Sequence, residues 1–548
     1  MTMKKLYSLI LGVVILAGFA SCKVDDFNSK YYDPAKTTVV TCDKLMTGAF
    51  MSGNGYTFNA YWRMYTWDNY FGKLTQTVGP NVDSGTMYYI NDGYAADRWN
   101  GFYDILRQYR VMQKQYESEE ADEQKEDRIF LALTEVFLYD HLSQIVDIFG
   151  PVPFEKAGYL GVTGDLASSY PAYDSDVDLY KMMLTNLDAL YTEIGTLSNS
   201  ISAATKAKID AQDYLNGGDL EQWQKYCNAL LLRLGVHMSA QGSLTAEGKA
   251  AVAKAASRPL PLTWDTSIKA ISDFDGFNYW ENFRDGYKDI NNTSSQVMID
   301  AFQVTGENDP RLEIVYFPDE AGVYKGKSMK ETAAEQSAIS EIENKGYEYR
   351  VYAHLNAATF TYNNLFVSPV VSAAEVNFLL AEAYQKGYAS GNAQAAFKNA
   401  ILESYHQYFE LNAHSDQSKA SAPSGQYFKK LVDTKDATDK LADADVLAFA
   451  EKIWNAYTDK FVGIMTQKWA HFGIIQPTQA WTDIRRTGYP ALTYPTDAGS
   501  GVKIANIPNR VKYPSVEADN NTENYNAAKG NVGGDTVDFV LFWAKSLK

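Results

Sequence analysis

Two aromatic stretches hold the side chains best suited to meeting a ligand. The first runs from Trp67 to Tyr94 and includes Tyr70, Tyr88, Tyr89 and Asn91; the second runs from Phe274 to Asn292 and includes Tyr279, Trp280, Asn282, Arg284 and Tyr287. Both are rich in Gly, Asn and Asp, so their rings are expected in loops. A ring held there offers a flat, amphipathic face at little entropic cost. The expected contacts are Trp280, Tyr279, Tyr287, Tyr88 and Tyr89, with Tyr70, Trp67, Asn282 and Arg284 beside them. Trp62 and Trp67 lie five residues apart on an expected helix and point different ways, so at least one should belong to the core.

Reactive chemistry has no comparable cluster. The six histidines, His141, His237, His354, His406, His414 and His471, show no ligand spacing, and there is no His-Glu-x-x-His and no Gly-x-Ser-x-Gly. The stretch from Gly322 to Ser328 imitates a phosphate-binding loop but is one residue short between its glycines, and reads better as a basic loop. Acids are abundant, yet no pair stands out as the two carboxylates a glycosidase needs. No catalytic residue, metal ligand or cofactor is expected.

The N-terminus bears on location. Lys4 and Lys5 precede an apolar run from Leu6 to Ala17, followed by Gly18, Ala20, Ser21 and Cys22. That is the layout of an export signal, and the run falls short of the roughly 20 residues that span a bilayer as a helix. Cys22 resembles the lipidated cysteine of bacterial lipoproteins, although Phe19 departs from the usual aliphatic residue. Lys23-Val24-Asp25-Asp26 resembles the short surface-export signal of lipoproteins from the Bacteroidetes group. Residues 1–21 are therefore expected to be a signal peptide. Residues 22–548 are expected to form one domain whose first part, 22–35, is a flexible tether. Only Cys42 and Cys227 remain beyond Cys22, which is no disulfide framework, and Cys227 reads as a buried thiol. The net charge of −17 argues against nucleic acid as a partner, because binding phosphates needs concentrated Lys and Arg.

The elements that must position these residues read as mainly α. Trp223, Tyr226, Cys227, Leu230, Leu231 and Leu234 repeat with helical period, as do Val376, Leu379, Leu380 and Ala383. Arg128 to Phe149 is apolar nearly all round, as expected of a helix buried on several sides, and Gly150-Pro151 stops it. Further helices are expected near 99–118, 178–196, 294–304, 392–409, 437–463 and 478–486. Long ordered loops are expected at 72–95, 158–178, 257–293, 312–365 and 487–535. The few strand signals are Val315 to Phe317, Tyr349 to Tyr352 and Val540 to Phe542.

Five segments, in order, resemble the SusD/RagB family of nutrient-binding outer-membrane lipoproteins, and more narrowly its SusD-like starch-binding-associated branch. They are Tyr61 to Phe71; Phe149-Gly150-Pro151-Val152-Pro153-Phe154; Trp223 to Met238; Asn308 to Leu312 with Ala374 to Ala383; and Gln467-Lys468-Trp469 with Trp481 to Pro490, Arg510 to Pro514 and Glu517. Read physically, most of these residues hold a scaffold together: Gly150-Pro151 ends a helix, Asp309-Pro310 makes a turn, and Arg485 and Arg486, near a helix end, can bond the last carbonyls or fork onto a carboxylate. The resemblance implies a helical scaffold of tetratricopeptide-like helix pairs decorated by long loops. It further implies a lipid-anchored protein at the outer membrane, facing outward. Such a protein captures an oligosaccharide or polysaccharide and acts as a lid on a TonB-dependent barrel, with no chemical step. Peptide ligands on the same architecture, and a surface hydrolase, are the competing readings.

Overall fold

The computed structural model describes residues 40–58, 63, 67–166, 170–271, 287, 293–361, 363, 366–415 and 432–547. Cys22, the signal peptide and the tether, together with Tyr279, Trp280, Asn282 and Arg284, lie outside the described residues.

The scaffold is built from helices labelled here in chain order: α1 (Cys42–Ser52), α2 (Asp92–Glu117), α3 (Ala121–Phe149), α4 (Asp176–Leu197), α5 (Leu220–Ser239), α6 (Thr245–Ala255), α7 (Ala373–Gln385), α8 (Ala393–Ala413), α9 (Asp443–Ala456), α10 (Lys460–Phe472) and α11 (Pro477–Thr487). Sequence neighbours pack as pairs, α2 on α3, α5 on α6, α7 on α8 and α10 on α11; α7 also meets α5 and α10. Residues Cys42–Lys548 form one compact unit.

Local chemistry starts and stops these helices. Asp219, Ser372, Asn392 and Asp459 each accept a backbone N–H in the first turn of α5, α7, α8 and α10, satisfying donors that the helix itself cannot. Pro477 opens α11, where a missing N–H costs nothing. Gly150 ends α3 at φ +85°, a conformation that favours glycine. The expected helix at 437–463 is two helices, α9 and α10, because Asp459 caps a new start after Tyr457. Stretches expected to be irregular also hold helices, at Ala333–Glu343, Ser515–Asn520 and Thr522–Asn531. The first of these opens with a Thr332/Glu335 capping box.

Strands are few. Ile268–Ile271 pairs antiparallel with Val367–Val371, and Tyr316–Phe317 with His354–Leu355. The strand expected at Tyr349 to Tyr352 is displaced to His354–Leu355, and Val540 to Phe542 forms a turn rather than a strand. Although α3 is long and apolar enough to cross a membrane, 89% of its most apolar window is buried inside the protein, so it is the central core helix. Cys227 is fully buried on α5 with its thiol on the Leu187 carbonyl.

Candidate ligand-binding site

The polar residues of the five segments bond in the interior to one another and to neighbouring helices. On α5, Arg233 forks onto Glu375 of α7 at 2.6 and 2.8 Å and reaches Asp140 of α3 at 3.3 Å. Arg486 of α11 binds Glu382 of α7 at 2.8 Å and Asp483 at 2.7 Å, while Lys468 of α10 meets Asp483 at 2.8 Å. Arg311 binds Asp309 and Gln467, both at 2.6 Å. Arg510 binds Asp535 at 2.6 Å and the Phe149 carbonyl at 2.8 Å, which ties the C-terminal segment to the end of α3. Burial alone would raise the Asp483 carboxyl, but Lys468 and Arg486 outweigh it and hold the group below the ordinary carboxylate range. These residues are cross-braces of the scaffold.

The first aromatic loop is turned inward. Asp497 accepts the backbone N–H of Gly85, Met87 and Gly499, each at 3.0 Å, folding that loop onto the C-terminal segment. The chains approach so closely that a Cβ on Gly499 would lie 2.1 Å from the Gly85 nitrogen. Consequently Tyr88 is fully buried with its hydroxyl on the Pro495 carbonyl, and Tyr70 is buried with its hydroxyl on the Tyr88 carbonyl. Tyr287 is likewise interior, 1% exposed. Instead of offering open ring faces, Tyr70, Tyr88 and Tyr287 are core residues in this conformation, because their hydroxyls find backbone carbonyls when buried. Tyr89 remains half-buried beneath the Lys503 ammonium, 4.2 Å from the ring centre. Asn91 caps α2 through the Gly93 N–H.

Trp67 is buried too, but it lines a pocket. Arg63, Trp67 and Asp68 form one side, Arg98 of α2 and Asp140, His141 and Gln144 of α3 the next, and Pro369, Val370, Gln476, Thr478 and Gln479 the rest; Tyr56 and Thr57 complete it. The cavity measures about 40 Å³. Arg63 is fixed by Asp68 at 3.2 Å and by the carbonyls of Thr57 and Ile475 at 2.8 and 2.9 Å. Burial pushes the Asp68 carboxyl up to about 7 against the pull of Arg63. Burial also lowers the Arg98 guanidinium to about 10, and Arg98 has no carboxylate in bonding contact among the described residues. Its cation lies 4.5 Å over the Tyr56 ring, and one amino group reaches Gln144 at a long 3.4 Å. Among the described residues, four buried atoms here lack a hydrogen-bond partner: Tyr56 Oη, Trp67 Nε1, Arg98 Nη1 and His141 Nδ1. Buried polar groups are rarely left so, and this pocket gathers four residues that carry such atoms.

Of the pocket residues, only Trp67 figures among the aromatic loop residues singled out by sequence. Arg98, His141, Gln144 and Gln479 come from helices, and their signal was the polar residue on a face otherwise apolar, His141 within α3 above all.

Comparison with other proteins fits this architecture. The model of the SusD-like family, described as SusD and RagB outer membrane lipoprotein, matches residues 36–544. The chain belongs to that family. Among solved structures, a chitin-binding protein superposes with a TM-score of 0.68 at 21% identity, covering 92% of this chain and 100% of its own. A SusD homologue from Bacteroides fragilis gives 0.66 at 22% identity over 92% of this chain and 100% of its own. A chitin-binding SusD homologue from Flavobacterium johnsoniae gives 0.63 at 19% identity over 91% and 98%. No curated protein matches the sequence.

Proposed function

We infer that this protein is a cell-surface lipoprotein that captures a glycan and serves as lid and partner of a TonB-dependent outer-membrane barrel. The observation that carries the reading is the family match across residues 36–544. Two of the structural relatives are described as chitin-binding, which favours a glycan over a peptide. The role is binding, with no chemical step. Its ligand contacts are drawn from the pocket containing Trp67, from Tyr89 of the first aromatic stretch, and from Tyr279, Trp280, Asn282 and Arg284 of the second.

Calorimetry against oligosaccharide and peptide panels tests the ligand class: an oligosaccharide should bind, and Trp280→Ala should weaken it. Binding of peptides alone would overturn the glycan reading, and product release by the purified protein would overturn the non-catalytic one. Anchoring rests on Cys22. Cys22→Ala should release the protein from the membrane fraction, since the acyl chains supply about 0.8 kcal/mol per buried CH₂. A variant that stays membrane-bound in cells lacking the barrel would sink the lipid anchor.

A further inference from the structure

The unpartnered atoms of the pocket select its occupant. Trp67 Nε1 and Arg98 Nη1 can only donate. His141 Nδ1, also unpartnered, accepts or donates according to the ring tautomer. The Thr57 hydroxyl lies 3.0 Å from the Gly53 carbonyl and 3.1 Å from His141 Nε2, so its one proton serves either. Burial, with the Arg98 and Arg63 charges nearby, keeps this imidazole neutral by holding its pKa well below the usual histidine value. The Tyr56 hydroxyl, the fourth unpartnered group, can act either way.

Ions do not satisfy this set. An anion would meet Arg98 and Trp67 but lie in a pocket that Asp68 and Asp140 also line. A cation would share the pocket with the Arg98 guanidinium. A hydroxyl both donates and accepts through one atom, and Pro369 and Val370 supply apolar wall for the carbon that bears it. At about 40 Å³ the cavity has room for about three waters, each needing roughly 10–15 Å³. The same space suits a hydroxymethyl group and excludes a whole sugar ring. Arg63, Gln144 and Val370 on its rim are only partly buried, which leaves a way in.

We propose that this pocket is a hydroxyl subsite, holding ordered water in the free protein and receiving a terminal hydroxymethyl edge of a neutral saccharide in the complex. It rests on the glycan reading above, and specifies that the saccharide is uncharged at the end that enters.

The test uses Trp67→Phe, which keeps an aromatic ring and removes the donor, with an unchanged melting temperature as the check on folding. The probes are malto-, cello- and chitotetraose and the same sugars 6-deoxygenated at the non-reducing end. For whichever sugar binds wild type, Trp67→Phe should weaken binding about tenfold, the factor that 1.4 kcal/mol represents. The deoxy analogue should lose a similar factor on wild type and be indifferent to the substitution. Equal affinity of the two proteins for the intact sugar overturns the proposal, as does a crystal structure of the complex with water alone in the cavity. If no saccharide binds, the glycan reading fails on its own account. Crystals grown in glycerol then decide the pocket: a glycerol hydroxyl on Arg98, Trp67 and His141 upholds a hydroxyl subsite, and water alone overturns it.

Discussion

Two buried polar regions meet at Asp140 on α3 and are built on opposite plans. In one, Arg233 reaches Asp140 itself, and the guanidiniums of Arg233, Arg311, Arg486 and Arg510 each bind a carboxylate within 2.5–2.8 Å. In the other, Arg98 is as deeply buried yet has no carboxylate in contact among the described residues, and three neighbouring side chains also leave atoms unpaired. A fully paired network rigidifies and joins helices that are distant in sequence, whereas a half-satisfied one is unfavourable unless something enters to complete it. Unpaired buried atoms also occur in the scaffold, at Arg485 Nε, Trp481 Nε1 and Trp543 Nε1, so what sets the pocket apart is that the four residues with unpaired atoms line one cavity.

Breaking the paired region should have the largest effect. Glu382→Ala leaves Arg486 buried with only part of its compensation, and should cost about 3–5 kcal/mol in denaturant unfolding. A loss below 1 kcal/mol would show that α7 and α11 are not braced through this pair.

Titration should distinguish Asp68 of the pocket from Asp483 of the scaffold by sign. The folded-state pKa of Asp68 is raised to about 7 from 3.8, so its contribution to stability is fully present below pH ~4 and is lost as pH rises through about 7. Asp483 is depressed, so its contribution is present above the ordinary carboxylate pKa and is lost as pH falls. Stability measured from pH 4 to 8 should therefore fall for wild type relative to Asp68→Asn, by up to about 4 kcal/mol at 1.36 kcal/mol per pKa unit. A flat difference would mean that Asp68 is ionised throughout, with Arg63 dominating its surroundings.

The smallest stability effect is expected at the pocket. Arg98→Met should change unfolding free energy by no more than about 1 kcal/mol, because exchanging a poorly paired buried charge for an apolar chain of similar length is often neutral. The same variant should lose saccharide affinity. A large destabilisation with binding intact would move Arg98 into the scaffold class and erase the contrast.

Much of the scaffold was legible beforehand. Apolar periodicity located α3, α5 and α7 from Arg128–Phe149, Trp223–Leu234 and Val376–Ala383, and Gly150-Pro151 marked where α3 stops. The helices at 333–343 and 515–531 were missed because they are short and solvent-facing, with little apolar periodicity to read. The merging of α9 and α10 was a capping error: Asp459 is a strong start signal that lies within a continuous helical pattern.

The binding surface was far less legible, and the aromatic loops show why. Composition and loop-forming neighbours marked Tyr70 and Tyr88 as available rings, but whether a loop ring faces water depends on what the loop folds against. Here Asp497, some 400 residues away, draws the loop inward through the N–H groups of Gly85 and Met87.

The family's scaffold, its helical pairs and the residues that brace them were determined by the sequence alone, because periodicity, caps and like-spaced charged residues are local or recur in order along the chain. The pocket was decided only by the tertiary structure. Trp67, Arg98, His141 and Gln479 come from four separate places in the chain, and no local rule says that their polar atoms will share one cavity. An unpaired donor or acceptor is defined by what fails to reach it in space, and that becomes visible only once the chain has folded.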